Sequence, residues 1–248
     1  MASGKRSERR GDNGERRFLQ GPQPRGLELW RATQIFLEFI NGFRKLHFVG
    51  PCVTVFGSAR FDEGHRYYQL GRETGRLLAE AGFTVMTGGG PGIMEAAVRG
   101  AKDVGGRTVG CSIDLPEEQG TNDYLDVTVE FRHFYVRKVM LLKYSYAFVV
   151  LPGGFGTFDE VFETATLVQT AKIADFPIIL LGTDFWRPLV ELLRTTLVPA
   201  GTIDETDLDL LRLTDSPEEA VAHIREIATE KFGLTYGPKA RKRWLLWE

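Results

Sequence analysis

Short runs of apolar residues alternate along this chain with segments that have helical periodicity, and this alternation constrains the fold more than any other feature. The predicted strands cover residues 52–56, 83–87, 107–113, 127–131, 146–151 and 177–181. The predicted helices between and after them cover residues 67–81, 93–104, 134–144, 158–170, 185–197 and 217–229. Strands that are apolar throughout are typical of a parallel sheet with both faces covered, joined by right-handed crossovers. The sequence therefore predicts an α/β fold with a doubly wound parallel sheet.

The length of 248 residues suits one domain of this kind, and 43% of the residues are hydrophobic. We place the single domain at residues 27–232, which include an amphipathic N-terminal helix over residues 27–48. Residues 1–26 are rich in Arg, Gly, Glu and Ser, and we expect a disordered tail there. Residues 233–248 form a basic C-terminal tail, and a short basic run at a chain end is more often solvated than bound to nucleic acid.

Charge and composition exclude several classes of function. The formal net charge is −2, so the chain is not a polycation built for nucleic acid. No apolar run reaches the roughly 18 residues of a membrane span. No apolar segment follows the charged N-terminus either, so we expect no membrane partner and a cytoplasmic protein. The cysteines lie in apolar strands and the histidines lack metal-ligand spacing, so we predict reduced thiols and no metal.

Two glycine-rich turns follow predicted strands. They therefore lie beyond the carboxyl ends of the strands, where open parallel sheets bind ligands. The first turn is Gly88–Gly92 and the second is Pro152–Thr157. Glycine lets backbone N–H groups approach a ligand, and the helix that follows offers unpaired N–H groups, which favour phosphate. Neither turn has the P-loop or the dinucleotide-binding spacing. Many such turns need glycine only for packing, but two of them in one domain, with Gly57-Ser58 after the first strand, favour a phosphate site.

The residues of both turns resemble a known family. Gly88–Ala96 reads GGGPGIMEA and Pro152–Glu160 reads PGGFGTFDE. Together with the pair Arg137-Lys138, these segments are similar to the motifs of the Lonely Guy family, many of whose members carry the label lysine decarboxylase. The motif P-G-G-x-G-T-x-x-E is highly specific, and the resemblance extends over roughly residues 51–229. We find no sequence context for the Schiff-base lysine that a pyridoxal-type decarboxylase needs.

The resemblance implies a Rossmann-like homodimer, or a higher homo-oligomer, that cleaves the N-glycosidic bond of a nucleoside 5′-monophosphate without a cofactor. The products are a free base and ribose 5-phosphate. Arg137 and Glu160 match the family's catalytic pair. Members that activate cytokinins typically read G-G-G-x-x-G-L-M-G at the first turn, whereas this chain has Glu95 after Met94. That variant resembles AMP-cleaving branches, so we expect AMP as substrate first and cytokinin riboside 5′-monophosphates next.

The remaining candidate site residues surround the expected phosphate and sugar. Main-chain groups of the turns and one hydroxyl are expected to hold the 5′-phosphate, namely Gly89, Gly90, Gly92, Gly153, Gly154, Gly156 and Thr157. Ser58 is an additional donor or a simple turn residue. Glu95 binds ribose hydroxyls or complements the helix dipole, and Met94 packs on the base or fills the core. Lys138 belongs to the family pattern and is counted among the nucleotide-binding residues.

Each member of the catalytic pair also has a structural interpretation. Glu160 follows Thr157 by three residues, which is the spacing of a helix capping box. A carboxylate beside the sugar of an N-riboside can instead stabilise the positive charge that develops there or activate water. Arg137 is either an exposed surface residue or a guanidinium that binds phosphate or stabilises the leaving base.

A protein of another class is compatible with the same scaffold. It would be a non-catalytic carrier or sensor of a phosphate-bearing cofactor, such as molybdenum cofactor. A carrier has no need for both Arg137 and Glu160, so the presence of the pair favours the enzyme.

Overall fold

Seven parallel strands form the central sheet in the computed structural model, which describes residue 15 and residues 18–113, 121–174 and 176–232. Their order across the sheet is β4-β3-β2-β1-β5-β6-β7, and every neighbouring pair is parallel. The strands are β1 (Cys52–Phe56), β2 (Thr84–Thr87), β3 (Thr108–Ile113), β4 (Val127–Phe131), β5 (Ser145–Val150), β6 (Ile178–Leu181) and β7 (Leu211–Thr214).

Helices connect most of the strands and cover both faces of the sheet. They are α1 (Arg25–Leu46), α2 (Arg66–Glu80), α3 (Ile93–Asp103), α4 (Phe134–Lys143), α5 (Phe155–Gln169), α6 (Thr183–Leu192) and α7 (Pro217–Phe232). Helix α6 continues as a π-helix over Leu193–Leu197, and a 3₁₀ helix over Glu205–Leu210 leads into β7. Successive strands in this arrangement are joined as in a doubly wound fold.

Alternate side chains of the central strands enter two separate cores, as the pleat of a sheet requires. In β1, Cys52 and Phe56 face a core that also contains residues of α1, α4, α5 and α6. Val53 and Val55 face the opposite core, which is completed by α2, α3 and α7. Because all five residues of β1 are buried, both faces of the sheet are covered. The predicted Rossmann-like, doubly wound parallel sheet is therefore confirmed.

Several element boundaries differ from the sequence-based predictions. Strand β7 and the 3₁₀ helix before it were not predicted. Helix α5 begins at Phe155, three residues before its predicted start at residue 158. The helix predicted over residues 185–197 begins at Thr183 and changes to a π-helix at Leu193. The later start predicted for α5 matters for the functional site, because it changes the position of the second glycine-rich motif relative to the helix.

The two predicted tails lie mostly outside the described residues. Residues 1–14, 16–17 and 233–248 are not among those that the structure describes. Helix α1 begins at Arg25, so the last two residues assigned to the N-terminal tail are helical. In the part of the chain that is described, no helix is both long and apolar enough to cross a membrane.

Candidate active site

The order of the strands reverses between β1 and β5, and ligands bind beyond the carboxyl ends of the strands at such a switch point. Here Ser58 connects the two glycine-rich turns. Its N–H donates to the carbonyl of Pro152 at 2.9 Å, and its carbonyl accepts from the N–H of Ile93 at 3.0 Å. Its Oγ accepts from the N–H of Arg60 at 3.1 Å, as in a turn, which leaves the hydroxyl proton free to donate.

Close packing accounts for much of the first turn. Gly92 has a φ of +69°, and a Cβ there would lie 2.4 Å from the carbonyl oxygen of Ser58, so only glycine fits. The buried residues Gly89 and Gly90 are held by Asn122, whose Nδ2 donates to their carbonyl oxygens at 3.1 and 3.0 Å. These contacts fix the shape of the loop, and a direct contact of its glycines with phosphate stays a prediction.

The second turn is more open than the first. Gly154 is the N-cap of α5, and it is exposed together with Phe155 and Gly156. Phe155 is 98% exposed. Within the described residues, no group accepts a hydrogen bond from the N–H groups of these three residues. Unpaired amides at the positive end of a helix form a cradle that suits a phosphate group.

Thr157 is the third residue of α5 rather than its N-cap. The alternative interpretation of Thr157 and Glu160 as a capping box is therefore wrong, since α5 has no side-chain cap. Thr157 is buried and packs against Gly153, where an added Cβ would lie 2.1 Å from the threonine Oγ1. This contact explains why residue 153 is glycine, and the contact of Thr157 with phosphate stays a prediction.

Glu160 is a buried carboxyl group in the second turn of α5. It is 6% exposed, and no hydrogen bond to its carboxyl group is found among the described residues. Burial raises the pKa of Glu160 to about 7, although the positive charges of Arg137 and Lys138 act to lower it. A buried carboxyl group that titrates near neutral pH is typical of a functional site rather than of a structural contact.

Arg137 is not the exposed residue of its structural interpretation. It is half-buried on α4, and its Nε donates to the carbonyl oxygen of Cys111 at 2.8 Å. Its guanidinium packs against the first turn, where a Cβ on Gly88 would lie 2.4 Å from Nη2. In the described structure its Nη atoms have no hydrogen-bond acceptor, so they are available to an anion. The effect of Arg137 on the pKa of Glu160 shows that the two groups are within electrostatic reach.

Lys138 is already paired with carboxylates of α5. Its Nζ lies 3.0 Å from Oδ1 of Asp159 and 2.5 Å from Oε2 of Glu163. The side chain therefore links α4 to α5, and it is not a free cation pointing to the crevice. Asp159, an exposed acid in the second turn of α5, takes part in this link. The nucleotide-binding role assigned to Lys138 stays a prediction that would require exchange of these partners.

Glu95 and Met94 begin helix α3 beside the first turn. Oε1 of Glu95 accepts a hydrogen bond from the buried hydroxyl of Tyr68 at 2.8 Å. Met94 packs on the glycines of the turn, since a Cβ on Gly88 or Gly90 would lie 2.8 or 2.7 Å from its Sδ or Cε. Met94 thus lies against the first turn, while the carboxylate of Glu95 contacts α2. Their contacts with base and ribose stay predictions.

Two residues that support the site were missed by the sequence analysis. Asn122 clamps the first turn from 32 or more positions away in the chain, and Tyr68 orients Glu95 from α2. Neither residue belongs to a motif with a glycine-rich turn. A signal in the sequence was therefore lacking, because each contact arises only when distant segments pack together.

The combination of features indicates the kind of ligand that would suit the crevice. Unpaired amides lie at the switch point of a Rossmann-like sheet, next to a buried carboxyl group and a fixed arginine, and this arrangement is chemically suited to a phosphate-bearing ligand. In the described residues, no group of three or more His, Cys, Asp or Glu side chains could hold a metal ion. The absence of a metal from the reaction stays a prediction.

Comparison with known proteins gives the family. The family model described as "Possible lysine decarboxylase" matches residues 94–224. The cytokinin riboside 5′-monophosphate phosphoribohydrolase of Rhodococcoides fascians is 29% identical, over 70% of this chain and 88% of that protein. The probable cytokinin riboside 5′-monophosphate phosphoribohydrolase LOG4 of Oryza sativa subsp. japonica is 30% identical, over 72% of this chain and 79% of its own length. The chain therefore belongs to the Lonely Guy family.

A solved structure with the same fold has a different description. The molybdenum cofactor carrier protein of Chlamydomonas reinhardtii has 26% sequence identity and a TM-score of 0.53, over 73% of this chain and 99% of the carrier. The family thus supports a nucleotide hydrolase in general terms, while the scaffold is shared with carriers.

Proposed function

We propose that the chain hydrolyses the N-glycosidic bond of a nucleoside 5′-monophosphate and releases a free base and ribose 5-phosphate. The observation that carries this proposal is the state of Glu160. This carboxyl group is buried, lacks a hydrogen-bond partner in the described structure, and has a pKa raised to about 7 within reach of Arg137. Relatives named as phosphoribohydrolases support the same activity at the level of the family.

The reaction needs one group for each developing charge. The amides of Gly154 and Gly156 hold the 5′-phosphate at the start of α5. As the bond from C1′ to the base nitrogen breaks, the electron pair leaves with the base and positive charge builds on the sugar. Ionised Glu160 stabilises that charge and takes a proton from the water that attacks C1′. The departing base takes up one proton from solvent, and Glu160 returns the proton that it took from water to solvent, so the carboxylate is regenerated. The positive charge of Arg137 stabilises the base or the phosphate.

AMP is the first substrate that we propose, and cytokinin riboside 5′-monophosphates are the second. The support for AMP is the first turn, where Glu95 follows Met94 in place of the last glycine of the motif G-G-G-x-x-G-L-M-G of cytokinin-activating members. Tyr68 holds the carboxylate of Glu95 in the first turn of α3, directly after the glycine-rich turn. The remaining lone pairs of this carboxylate can accept hydrogen bonds from ribose hydroxyls. We also propose that the protein is cytoplasmic and works as a homodimer or higher homo-oligomer.

The direct test is to incubate the purified protein with AMP and to separate the products by chromatography. We expect adenine and ribose 5-phosphate in equal amounts. Adenosine is the control substrate, because it lacks the phosphate and should react far more slowly. A panel of nucleoside monophosphates, ranked by kcat/KM, then identifies the preferred base. A protein that leaves the whole panel intact would not have the proposed activity.

Two variants test the assigned roles. Glu160→Gln keeps the size of the side chain and should fold, but kcat should fall by about 10³-fold, equivalent to roughly 4 kcal/mol. Arg137→Lys keeps a positive charge but loses both the fork and the bond from Nε to Cys111, so kcat/KM should fall by about 10- to 100-fold. If either variant turns over AMP at the wild-type rate, the residue that it replaces has no part in the proposed mechanism.

A second candidate function is the carrier or sensor of a phosphate-bearing cofactor. It is favoured by the likeness to the molybdenum cofactor carrier protein of Chlamydomonas reinhardtii. The same incubation separates the two functions. Tight binding of a nucleoside monophosphate without release of base would support a carrier, whereas release of base would support the hydrolase.

A further inference from the structure

A carboxylate from α1 closes the N-terminal end of α4. Oε1 of Glu38 accepts hydrogen bonds from the backbone N–H groups of Arg132 and His133, at 2.9 and 3.2 Å. Its Oε2 lies 2.8 Å from Nδ1 of His133. The side chains of His133 and Glu38 are only 6% and 11% exposed. One buried carboxylate thus makes three contacts with the residues that begin α4.

A second carboxylate from the N-terminal part of the chain reinforces this contact. Oε1 of Glu15 accepts a hydrogen bond from the N–H of Phe134, the first residue of α4, at 3.2 Å. The first N–H groups of a helix have no partner within the helix, and negative charge is favoured at this end. Glu38 and Glu15 accept these hydrogen bonds from 95 and 119 positions away in the chain, and they take the place of a local capping residue.

Helix α1 also packs tightly along α4. At Gly42, an added Cβ would lie 3.0 Å from Sδ of Met140, so the two helices are in close contact. Phe39 and Phe43 of α1 pack against the same core as α4, and Nζ of Lys143 lies 5.8 Å from the ring centroid of Phe43. The C-terminal half of helix α1 is therefore fixed against α4.

Helix α4 carries Arg137 one turn after the point that Glu38 holds. The N–H of Arg137 donates to the carbonyl of His133 at 3.2 Å, so the position of His133 determines where the next turn begins. The guanidinium then reaches Cys111 and the first glycine-rich turn. Displacement of a catalytic group by about 1 Å can cost about 100-fold in rate, so small shifts of α4 matter.

We propose that Glu38 is a positioning residue, which fixes the N-terminal end of α4 through His133 and thereby holds Arg137 against the crevice. This inference rests on the proposed hydrolase function. It assigns a role to α1, which lies outside residues 94–224 that the family model matches. The N-terminal helix is then part of the working site and not an appendage.

Glu38→Ala and Glu38→Gln test the proposal in the full chain, with Glu28→Ala as the matched control. Glu28 is an exposed acid on the same helix, and its carboxylate accepts only from the N–H of Gln23 in the described structure. We expect Glu38→Ala to lower kcat for AMP by about 10-fold or more, with a change in KM below about 2-fold. Glu38→Gln, whose amide oxygen can still accept from the backbone, should lose less. Glu28→Ala should match the wild type.

A double-mutant cycle shows whether Glu38 acts through Arg137. In an Arg137→Ala background, Glu38→Ala should lower kcat/KM no further, because the group that it positions is already absent. The proposal would be overturned if the fold-losses in kcat/KM of the two single variants multiplied in the double variant. A folded Glu38→Ala variant with wild-type kcat would also overturn it. The cavity of about 820 Å³ that borders Glu38 reaches the surface, so truncation leaves no sealed void, and Glu38→Gln carries the test if the alanine variant does not fold.

A spectroscopic measurement tests the positioning without turnover. The Nε–H of Arg137 donates to the carbonyl of the buried Cys111, so it should give a slowly exchanging ¹⁵N-detected NMR signal that disappears in Arg137→Lys. We expect this exchange to be at least about 10-fold faster in Glu38→Ala and unchanged in Glu28→Ala. Unchanged exchange in Glu38→Ala contradicts the positioning role, whereas a wild type that releases no base contradicts only the hydrolase function.

Discussion

At the scale of single residues, the surroundings of Glu160 decide what its carboxyl group can do. In the sequence it was a capping residue as plausibly as a catalytic one, and the start of α5 at Phe155 removes the first interpretation. Burial without a hydrogen-bond partner in the described structure costs folding free energy whenever the group is ionised. A cost of this kind is typical of functional sites, and it has a measurable dependence on pH.

We expect Glu160→Gln to gain stability relative to the wild type as pH rises. The pKa is about 7 in the folded protein and 4.5 is its ordinary value, so between these pH values the unfolded chain ionises while the folded one keeps its proton. Each rise in pH through this window therefore destabilises the wild type. Urea unfolding at pH 4.5 and pH 8 should show the difference between variant and wild type changing by roughly 3 kcal/mol. Glu28→Gln is the surface control, and a difference for Glu160→Gln that does not vary with pH would contradict the shift.

The same pKa predicts how the rate depends on pH. Only the ionised form of Glu160 can stabilise a cationic sugar or accept a proton, and this form is lost below about pH 7. We therefore expect kcat at saturating AMP to fall about 10-fold per pH unit below that value. The residual kcat of Glu160→Gln should not show this fall at low pH. If kcat of the variant still falls below pH 7, another group is responsible for the pH dependence.

At the scale of elements, the sequence was sufficient for most of the sheet and for the place of the site. Strands β1, β2 and β6 are buried along their whole length, as their apolar runs predict. Strand β4, at the edge of the sheet, instead exposes Thr128 and Glu130. Strand β7 was missed because its four residues, LRLT, are only partly buried at the edge of the sheet and give no apolar run. The start of α5 was missed because glycine at residue 156 disfavours a helix locally, and only packing around the turn overrides that preference.

Contacts between distant elements account for the rest of what the sequence could not show. Lys138 was assigned to the nucleotide, but its charge is matched by two carboxylates one helix away. Asn122 and Glu38 hold the first turn and α4 from segments that no motif includes. Residue type and spacing indicate which chemistry is possible. Contacts between distant segments then determine which side chains are already paired and which remain available to a ligand.

The contact between Gly153 and Thr157 gives a prediction at the scale of the second turn. A Cβ at residue 153 would lie 2.1 Å from Oγ1 of Thr157, and a β-branched side chain inside a helix has little freedom to move away. We expect Gly153→Ala to lower the free energy of unfolding by about 2 kcal/mol or more. Gly156→Ala is the control, because a Cβ there meets nothing within 4 Å and alanine favours a helix. Equal urea midpoints for the two variants would show that the turn relaxes without cost.

At the scale of the whole molecule, α1 has two apolar faces with different surroundings. Ile35, Phe39 and Phe43 pack against the core of the domain. The outward face carries large apolar side chains that are each more than half exposed, namely Leu29, Trp30, Phe36 and Leu37. A large apolar patch on a surface marks an interaction site. A second copy of the chain, as expected of a Lonely Guy protein, would cover this face.

We therefore expect sedimentation to give at least twice the chain mass of 27.9 kDa. Phe36→Glu places a charge in the middle of the outward face of α1 and should weaken association by about 100-fold, because a desolvated unpaired charge costs several kcal/mol at an interface. Val104→Glu is the control, since Val104 is a partly exposed apolar residue at the far end of α3. A wild type that sediments as a monomer contradicts the homo-oligomer itself. An oligomer that Phe36→Glu leaves intact, while Val104→Glu dissociates it, instead moves the interface away from α1 and leaves that helix with only its role in holding α4.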